Sequence, residues 1–149
     1  KTWSSIAKIM IGIVVSEFNQ AIVEGLLSGC KKALLEKDID DKSIIIKKVP
    51  GAFEIPAAVN SLITIEEIEI VITLGAVIKG QTDHYHYIAK AVTNGVMQIT
   101  LESNIPIIFG VLTCQTLALA QERSSIQNMS CNKGYEAGKA ALSMIYNST

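Results

Sequence analysis

Both histidines of the chain, His84 and His86, lie in one short segment, GAVIKGQTDHYHYIAK, which spans residues 75–90. Histidine is the side chain best suited to proton transfer near neutral pH, and it is also a common metal ligand. Residues at positions i and i+2 of a helix diverge by about 200°, so the pair does not share a helical face. Because the chain has no other histidine, we interpret His84 as an acid/base candidate and expect no metal site.

The residues just before His84 favour an anion site. An apolar run ends at Ile78, and Gly80, Gln81 and Thr82 then lead into a predicted helix that begins near residue 83 or 84. Free backbone N–H groups at a helix start bind anions, and the Thr82 hydroxyl adds a further donor. The segment contains neither G-x-G-x-x-G nor G-x-x-x-x-G-K, so it predicts a site for one phosphate and lacks a nucleotide fingerprint.

Side chains that could bind or react also follow three other apolar runs. Phe18 and Asn19 follow the first run, Glu54 in PGAFE follows the second, and Cys114 in LTCQT follows the fourth. An aromatic ring at a pocket mouth can stack on a planar ligand, and a carboxylate can accept hydrogen bonds from hydroxyl groups. Structural alternatives remain open for each: a hydrophobic staple for Phe18, a helix cap for Glu54 and a small buried hydrophobe for Cys114.

Two cations complete the set of candidates. Arg123 is the only arginine and lies near the end of a predicted helix, where it is either a partner of the helix dipole or a phosphate ligand. Lys133 opens the last predicted helix, where the dipole disfavours a cation. Such a local conflict indicates a functional role.

The elements that must position these residues alternate along the chain. The periodicity predicts strands at 8–16, 42–49, 68–78 and 105–112, and helices at 19–37, 54–63, from residue 84, 116–125 and 133–147. The last helix is predicted to line one side with Ala137, Ala140, Ala141, Met144 and Ile145. Regular alternation predicts an α/β domain, residues 1–149, in which helices cover both faces of a parallel sheet. Ligands of such sheets bind outside the carboxyl ends of the strands, where all the candidates fall.

Composition restricts the class of protein. Of 149 residues, 49% are hydrophobic and 18% are charged, so we expect the chain to bury surface against copies of itself. The formal net charge of −1 gives no general attraction to nucleic acid, and no apolar run approaches the roughly 18 residues of a membrane span. Three widely spaced cysteines and an N-terminal sequence without a secretion signal predict a cytoplasmic location.

Six segments together resemble the 6,7-dimethyl-8-ribityllumazine synthase family of riboflavin biosynthesis. They are FN (18–19), VPGAFEIP (49–56), GAVIKGQTDHYHY (75–87), IPIIFGVLT (105–113), ER (122–123) and NKGYEA (132–137), in this order and spacing. The resemblance implies a three-layer flavodoxin-like sandwich with a mainly parallel four-stranded sheet. It also implies condensation of 5-amino-6-ribitylaminouracil with 3,4-dihydroxy-2-butanone 4-phosphate, the penultimate step of the pathway, without a metal or an organic cofactor.

The resemblance also assigns expected roles to the candidate residues. His84 would be catalytic and would move protons during imine formation and phosphate loss. The expected substrate-binding residues are Phe18 and Asn19 with the pyrimidine, Ala76, Val77 and Ile78 at its polar edge, Ala52, Phe53 and Glu54 along the ribityl chain, and Gln81, Thr82 and Arg123 at the phosphate. Phe109 and Lys133 would reach the site of a neighbouring subunit.

The family's subunits form pentamers, and in some members twelve pentamers form a shell. The segment SSIQNMSC (124–131) lacks glycine and is longer than the compact link associated with shells, so we expect a homopentamer or a pair of pentamers. Leu119 stands where the family usually has glutamine, which leaves the shape of segment 113–132 open. The resemblance also implies riboflavin synthase as a partner in the pathway.

Two other functions compete with the synthase interpretation. A binding or shell-forming paralogue would hold a flavin or lumazine without turnover, and a flavodoxin-like electron carrier would hold a coloured flavin. The carrier needs a Ser/Thr-rich phosphate loop after the first strand, and SEFNQA (16–21) is not such a loop. The combination of Glu54, His84 and Arg123 favours an enzyme, since a pure binder has no need for His84 and Arg123 together.

Overall fold

The computed structural model describes residues 9–146 and forms a parallel sheet between two layers of helices. The strands are β1 (Met10–Ser16), β2 (Ile44–Val49), β3 (Ile68–Ile78) and β4 (Ile107–Cys114), in the spatial order β2-β1-β3-β4. The α-helices of the described region are α1 (Gln20–Leu35), α2 (Ile55–Leu62), α3 (His84–Glu102), α4 (Leu117–Arg123) and α5 (Lys133–Tyr146). All three strand pairs are parallel, so the predicted fold class is confirmed.

The element boundaries agree with the predicted ones to within two residues where the prediction can be compared, and those of β3 agree at both ends. β2 begins at Ile44 because Asp41–Ser43 forms a short 3-10 turn, in which the Asp40 carboxylate accepts the Lys42 N–H at 3.0 Å. β4 lies two residues further along than predicted because it pairs with β3 up to the Ile78–Cys114 position. Residues 8 and 147, at the ends of two predicted elements, lie outside the described residues.

Each face of the sheet carries its own apolar core. Ile11, Ile13 and Val15 of β1 point toward the layer that contains α1, α4 and α5. Val14, between them, points the other way, toward α2 and α3. Successive residues of a strand face opposite sides, so strands buried on both faces read as continuous apolar runs, as MIGIVV does here.

The outer helices differ in how much surface they bury. In α5, Ala137, Ala141 and Ile145 are buried, whereas Met144, predicted to lie on the same side of the helix, is 49% exposed. Helix α3 has 19 residues, of which only Val92 and Val96 are fully buried. A long helix that contacts the sheet along so narrow a stripe leaves most of its surface open to solvent or to another chain.

Between residues 9 and 146, no helix combines the length and the apolarity that crossing a membrane requires.

Candidate active site

A cavity of about 730 Å³ opens at the carboxyl ends of β1, β2 and β3. Its lining comes from three connections: Phe18 and Asn19 after β1, Pro50–Glu54 after β2, and the end of β3 with the start of α3. The chain order of the sheet reverses between β1 and β3, and the connections that leave these two strands diverge to opposite faces of the sheet. The size of the cavity is within the usual range for a small-molecule site.

The connections after β1 and β2 are joined by their backbones. The Glu17 N–H donates to the Val49 carbonyl at 2.8 Å, and the Phe18 N–H donates to the Pro50 carbonyl at 3.0 Å. Asn19 then adopts a left-handed conformation (φ 62°, ψ 56°), and α1 begins at the next residue. This geometry leaves the Phe18 side chain 70% exposed at the cavity, so it does not act as a hydrophobic staple.

Glu54 combines structural contact with access to the cavity. One carboxylate oxygen, Oε1, accepts the Gly51 N–H at 3.0 Å and closes the turn between β2 and α2. The alternative in which Glu54 stabilises a helix start is therefore confirmed, although the residue also lines the cavity. A carboxylate has two oxygens with about four lone-pair sites, so the bond to Gly51 leaves capacity to accept hydrogen bonds from a ligand.

The end of β3 forms the floor of the cavity. Ala76 and Val77 are nearly buried and Ile78 is partly exposed, and all three line the cavity. Immediately afterwards the Lys79 N–H donates to the Cys114 carbonyl at 2.9 Å, which continues the β3–β4 ladder by one bond. The chain leaves the sheet at Gly80, and the segment predicted to bind an anion begins there.

His84 lies at the entrance to α3, as predicted. It is the first residue of the helix, its side chain is exposed, and it lines the cavity together with Gly80 and Thr82. The Thr82 Oγ1 accepts the His84 N–H at 3.3 Å. Because this oxygen acts as acceptor toward the helix, the Thr82 hydroxyl proton is available for a bound anion.

His86 is separate from this arrangement. It is exposed, its ring meets the Tyr85 ring edge-on at 5.1 Å between centroids, and it does not line the cavity. Within residues 9–146, no group of three or more His, Cys, Asp or Glu side chains is arranged to hold a metal ion.

Arg123 lies outside the cavity lining of a single chain. It ends α4 and is exposed. Burial raises the pKa of the Cys114 thiol, and the positive charge of Arg123 offsets part of this rise. The Cys114 carbonyl also accepts the hydrogen bond from the N–H of Lys79, the residue directly before Gly80. Cys114 is 8% exposed, as expected for a small buried hydrophobe.

Three other predicted residues also lie outside the cavity lining. Gln81 is exposed between Gly80 and Thr82, which do line it. Phe109 is half-buried on the α2–α3 face, in register with Thr73 in the middle of the sheet. Lys133 is the first residue of α5, and its Nζ lies 3.5 Å from Glu136 Oε1.

Some cavity residues were not among the predicted site residues. Of these, Tyr85 and Ile88 line the cavity from the first two turns of α3 and are partly buried. Ile88 lies four residues after His84, so helical spacing places both on neighbouring positions of one face. In the sequence, the helical spacing of Ile88 predicts a residue that faces the core. Only the position of α3 relative to β2 and β3 shows that this part of the helix faces a cavity.

A parallel four-stranded sheet between two helical layers, with its cavity at the carboxyl ends of the strands, defines an α/β protein of the flavodoxin-like class. Comparison with known families narrows this class. A family model described as 6,7-dimethyl-8-ribityllumazine synthase matches residues 8–148, and the chain therefore belongs to this family.

A curated relative supports the same family. It is a 6,7-dimethyl-8-ribityllumazine synthase from Leuconostoc mesenteroides subsp. mesenteroides, and it is 45% identical to this chain over 135 residues. The aligned region covers 91% of this chain and 85% of the relative. The family match over residues 8–148 covers the sheet, both helical layers and every segment that lines the cavity.

Proposed function

We propose that the cavity is the active site in which the chain condenses 5-amino-6-ribitylaminouracil with 3,4-dihydroxy-2-butanone 4-phosphate to give 6,7-dimethyl-8-ribityllumazine, phosphate and water. The observation that carries the proposal is that Phe18, Glu54 and His84, from three different connections, meet at one cavity. Membership of the lumazine synthase family supports the identity of the substrates. The reaction is the penultimate step of riboflavin biosynthesis.

The pyrimidine substrate fits the side of the cavity formed after β1 and β2. The exposed Phe18 ring offers a face for stacking on the planar pyrimidine, with Asn19 beside it. Glu54 has lone pairs left for the ribityl hydroxyls after its bond to Gly51. The remaining proposed contacts on this side are those of Ala52, Phe53, Ala76, Val77 and Ile78.

The phosphate of the second substrate fits the start of α3. Gly80, Gln81 and Thr82 precede the start of α3, where the helix dipole favours an anion, and Arg123 is proposed as a further phosphate ligand. Imine formation from an amine and a ketone expels water, and phosphate loss also requires proton transfer. His84 lines the same cavity and serves these steps as the acid/base group.

The functional unit is a homopentamer, and any higher assembly is built from pentamers. Phe18 and Phe53 are 70% and 58% exposed beside the cavity of one chain, an arrangement that favours cover by a second subunit. Phe109 and Lys133, which lie outside the cavity of their own chain, are proposed to contribute to a neighbour's site. The long exposed surface of α3 is the other feature that supports assembly.

The cytoplasm is the proposed location, and riboflavin synthase is the proposed partner that consumes the product. Cys30, Cys114 and Cys131 are all free thiols, which agrees with a reducing compartment.

The direct test is to mix the purified protein with both substrates and follow the fluorescence of the lumazine against a blank without protein. We expect the rate to exceed the uncatalysed rate and to scale with protein concentration. Tight binding of lumazine or riboflavin without acceleration would support the binding-paralogue alternative instead. A protein that purifies with a coloured flavin and makes no product would support the electron carrier.

A further inference from the structure

One buried amide holds the connection between α4 and α5. Asn132 is 1% exposed, and its Nδ2 donates to two backbone carbonyls, to Gly25 of α1 at 3.1 Å and to Ser125 at 3.0 Å. Both N–H groups of the amide are therefore used. The two acceptors are 107 and 7 residues away in sequence, so the side chain joins the connection to a helix formed near the start of the chain.

The oxygen of the same amide has a separate task. Asn132 Oδ1 accepts the Tyr135 N–H at 2.9 Å, which satisfies one of the free donors at the start of α5. Capping depends on the oxygen, whereas the link to α1 and Ser125 depends on the nitrogen. A single substitution can therefore remove one task and keep the other.

Two glycines of helix α1 allow the connection to pack closely against it. A Cβ atom added at Gly25 would collide with the carbonyl oxygen of Ser124, and one added at Gly29 would collide with the Asn132 side chain. Ser124 is 7% exposed, and its Oγ donates to the Ala120 carbonyl at 2.8 Å. The residue that directly follows Arg123 is thus bonded to α4 on one side and packed against α1 on the other.

The position of Arg123 depends on this arrangement because the exposed side chain itself has few restraints. The next residue, Ser124, is where the backbone is held, through its bond to Ala120 and its close contact with Gly25. Holding a long cationic side chain in one place costs rotamer entropy, and a fixed backbone reduces the remaining freedom.

We propose that Asn132 is a positioning residue for phosphate binding: its two N–H donations fix segment 124–132 on α1 and so hold the backbone next to Arg123, the proposed phosphate ligand. This inference rests on the proposed function, because it takes Arg123 as a ligand of the substrate phosphate. The proposal also explains how segment 124–132, whose sequence is unusual for the family, keeps Arg123 in place. The segment is restrained by contacts at its two ends and by α1.

The variant Asn132→Asp separates the two tasks. Aspartate caps a helix about as well as asparagine, so the bond from the Tyr135 N–H is kept. The second carboxylate oxygen has no proton to donate and would face the carbonyl oxygens of Gly25 and Ser125. We expect the KM for the phosphate substrate to rise about tenfold, as loss of buried hydrogen bonds would predict, while kcat and the KM for the pyrimidine stay within about twofold. Inorganic phosphate should inhibit the variant more weakly by the same factor.

Two further variants make the test decisive. Arg123→Ala alone should raise the KM for the phosphate substrate, and adding Asn132→Asp to it should raise this KM no further, because the two residues act as one unit. Tyr135→Phe is the matched control on α5: it removes the hydroxyl bond to Glu36 at 2.6 Å without touching segment 124–132, and its KM values should match those of the unmodified chain.

The outcomes distinguish the inference from the proposed function. If Arg123→Ala raises the KM but Asn132→Asp does not, or if the two effects add, the positioning role is wrong and the phosphate role of Arg123 stands. If Arg123→Ala leaves the KM unchanged, both are wrong. Should Asn132→Asp fail to fold, Ser124→Ala removes the bond to Ala120 from the same arrangement, and a rise of a few fold that disappears in the Arg123→Ala background is then the expected result.

Discussion

The roles proposed for single residues are most sharply tested at His84. Orientation of two reactive partners is worth roughly 7–11 kcal/mol, whereas one acid/base group contributes roughly 10²–10⁴ in rate. His84→Ala should therefore slow lumazine formation by up to about that factor without abolishing it, measured as kcat at saturating substrates. His86→Ala is the matched control, since His86 lies outside the cavity and should leave kcat within about twofold.

The contradicting results at His84 are clear. Complete loss of activity in a folded His84→Ala assembly would mean that proton transfer, and not orientation, provides most of the rate. Equal effects of His84→Ala and His86→Ala would remove the specific role of His84, because the two side chains point in different directions from the start of α3.

At the scale of elements, the close approach of β1 and β3 beneath the cavity can be tested through stability. A Cβ added at Gly75 would lie 2.7 Å from Ser16 Oγ and 2.9 Å from Ile55 Cδ1. Gly75→Ala should lower the free energy of unfolding by about 1–3 kcal/mol, the usual cost of overpacking a core, in urea denaturation. Gly80→Ala is the control for stability, since nothing lies within 4 Å of its added Cβ, and it should unfold at the same urea concentration as the unmodified chain.

The residue that an added Cβ at Gly75 would contact, Ser16, allows a second stability prediction. Its hydroxyl is fully buried and finds no hydrogen-bond partner in the described part of the chain. An unsatisfied buried hydroxyl costs about 1–3 kcal/mol, so Ser16→Ala should raise stability and, combined with Gly75→Ala, should recover part of the loss. If Ser16→Ala destabilises the chain, the cost assigned to the buried hydroxyl is wrong.

At the scale of the whole molecule, assembly should depend on the exposed side of α3. Tyr87, Met97 and Leu101 are 73%, 54% and 78% exposed, and their positions place them on one stripe opposite the buried Val92 and Val96. Leu101→Lys places a charge on this stripe and should shift the proposed pentamer, about 80 kDa or five times the 16.1 kDa chain, toward the monomer in light scattering. Lumazine formation should fall with it.

Leu35→Lys is the matched control for assembly. Leu35 is 60% exposed at the end of α1, on the other face of the sheet, so the same charge there should leave the particle size unchanged. If Leu101→Lys keeps the full particle and its activity, or if both variants dissociate equally, α3 does not form the subunit contact.

The sequence by itself determined the elements and the end of the sheet where chemistry occurs. Continuous apolar runs with β-branched residues and segments of helical period depend on local patterning, which is why β3 was predicted with its observed bounds and α3 with its start at His84. Parallel strands bring their carboxyl ends to one edge of the sheet, so the sequence alone predicts that Phe18, Glu54 and His84 share a site.

Only the tertiary structure decided which of these residues meet within one chain. Phe18 reaches the cavity because its N–H bonds to Pro50. Arg123 stays outside the lining because α4 packs on the opposite face of the sheet from α2 and α3. The exposure of Met144 and the participation of Tyr85 and Ile88 depend on how helices are placed on the sheet. Placement of this kind results from contacts between residues far apart in sequence, such as Asn132 with Gly25, and no local pattern encodes them.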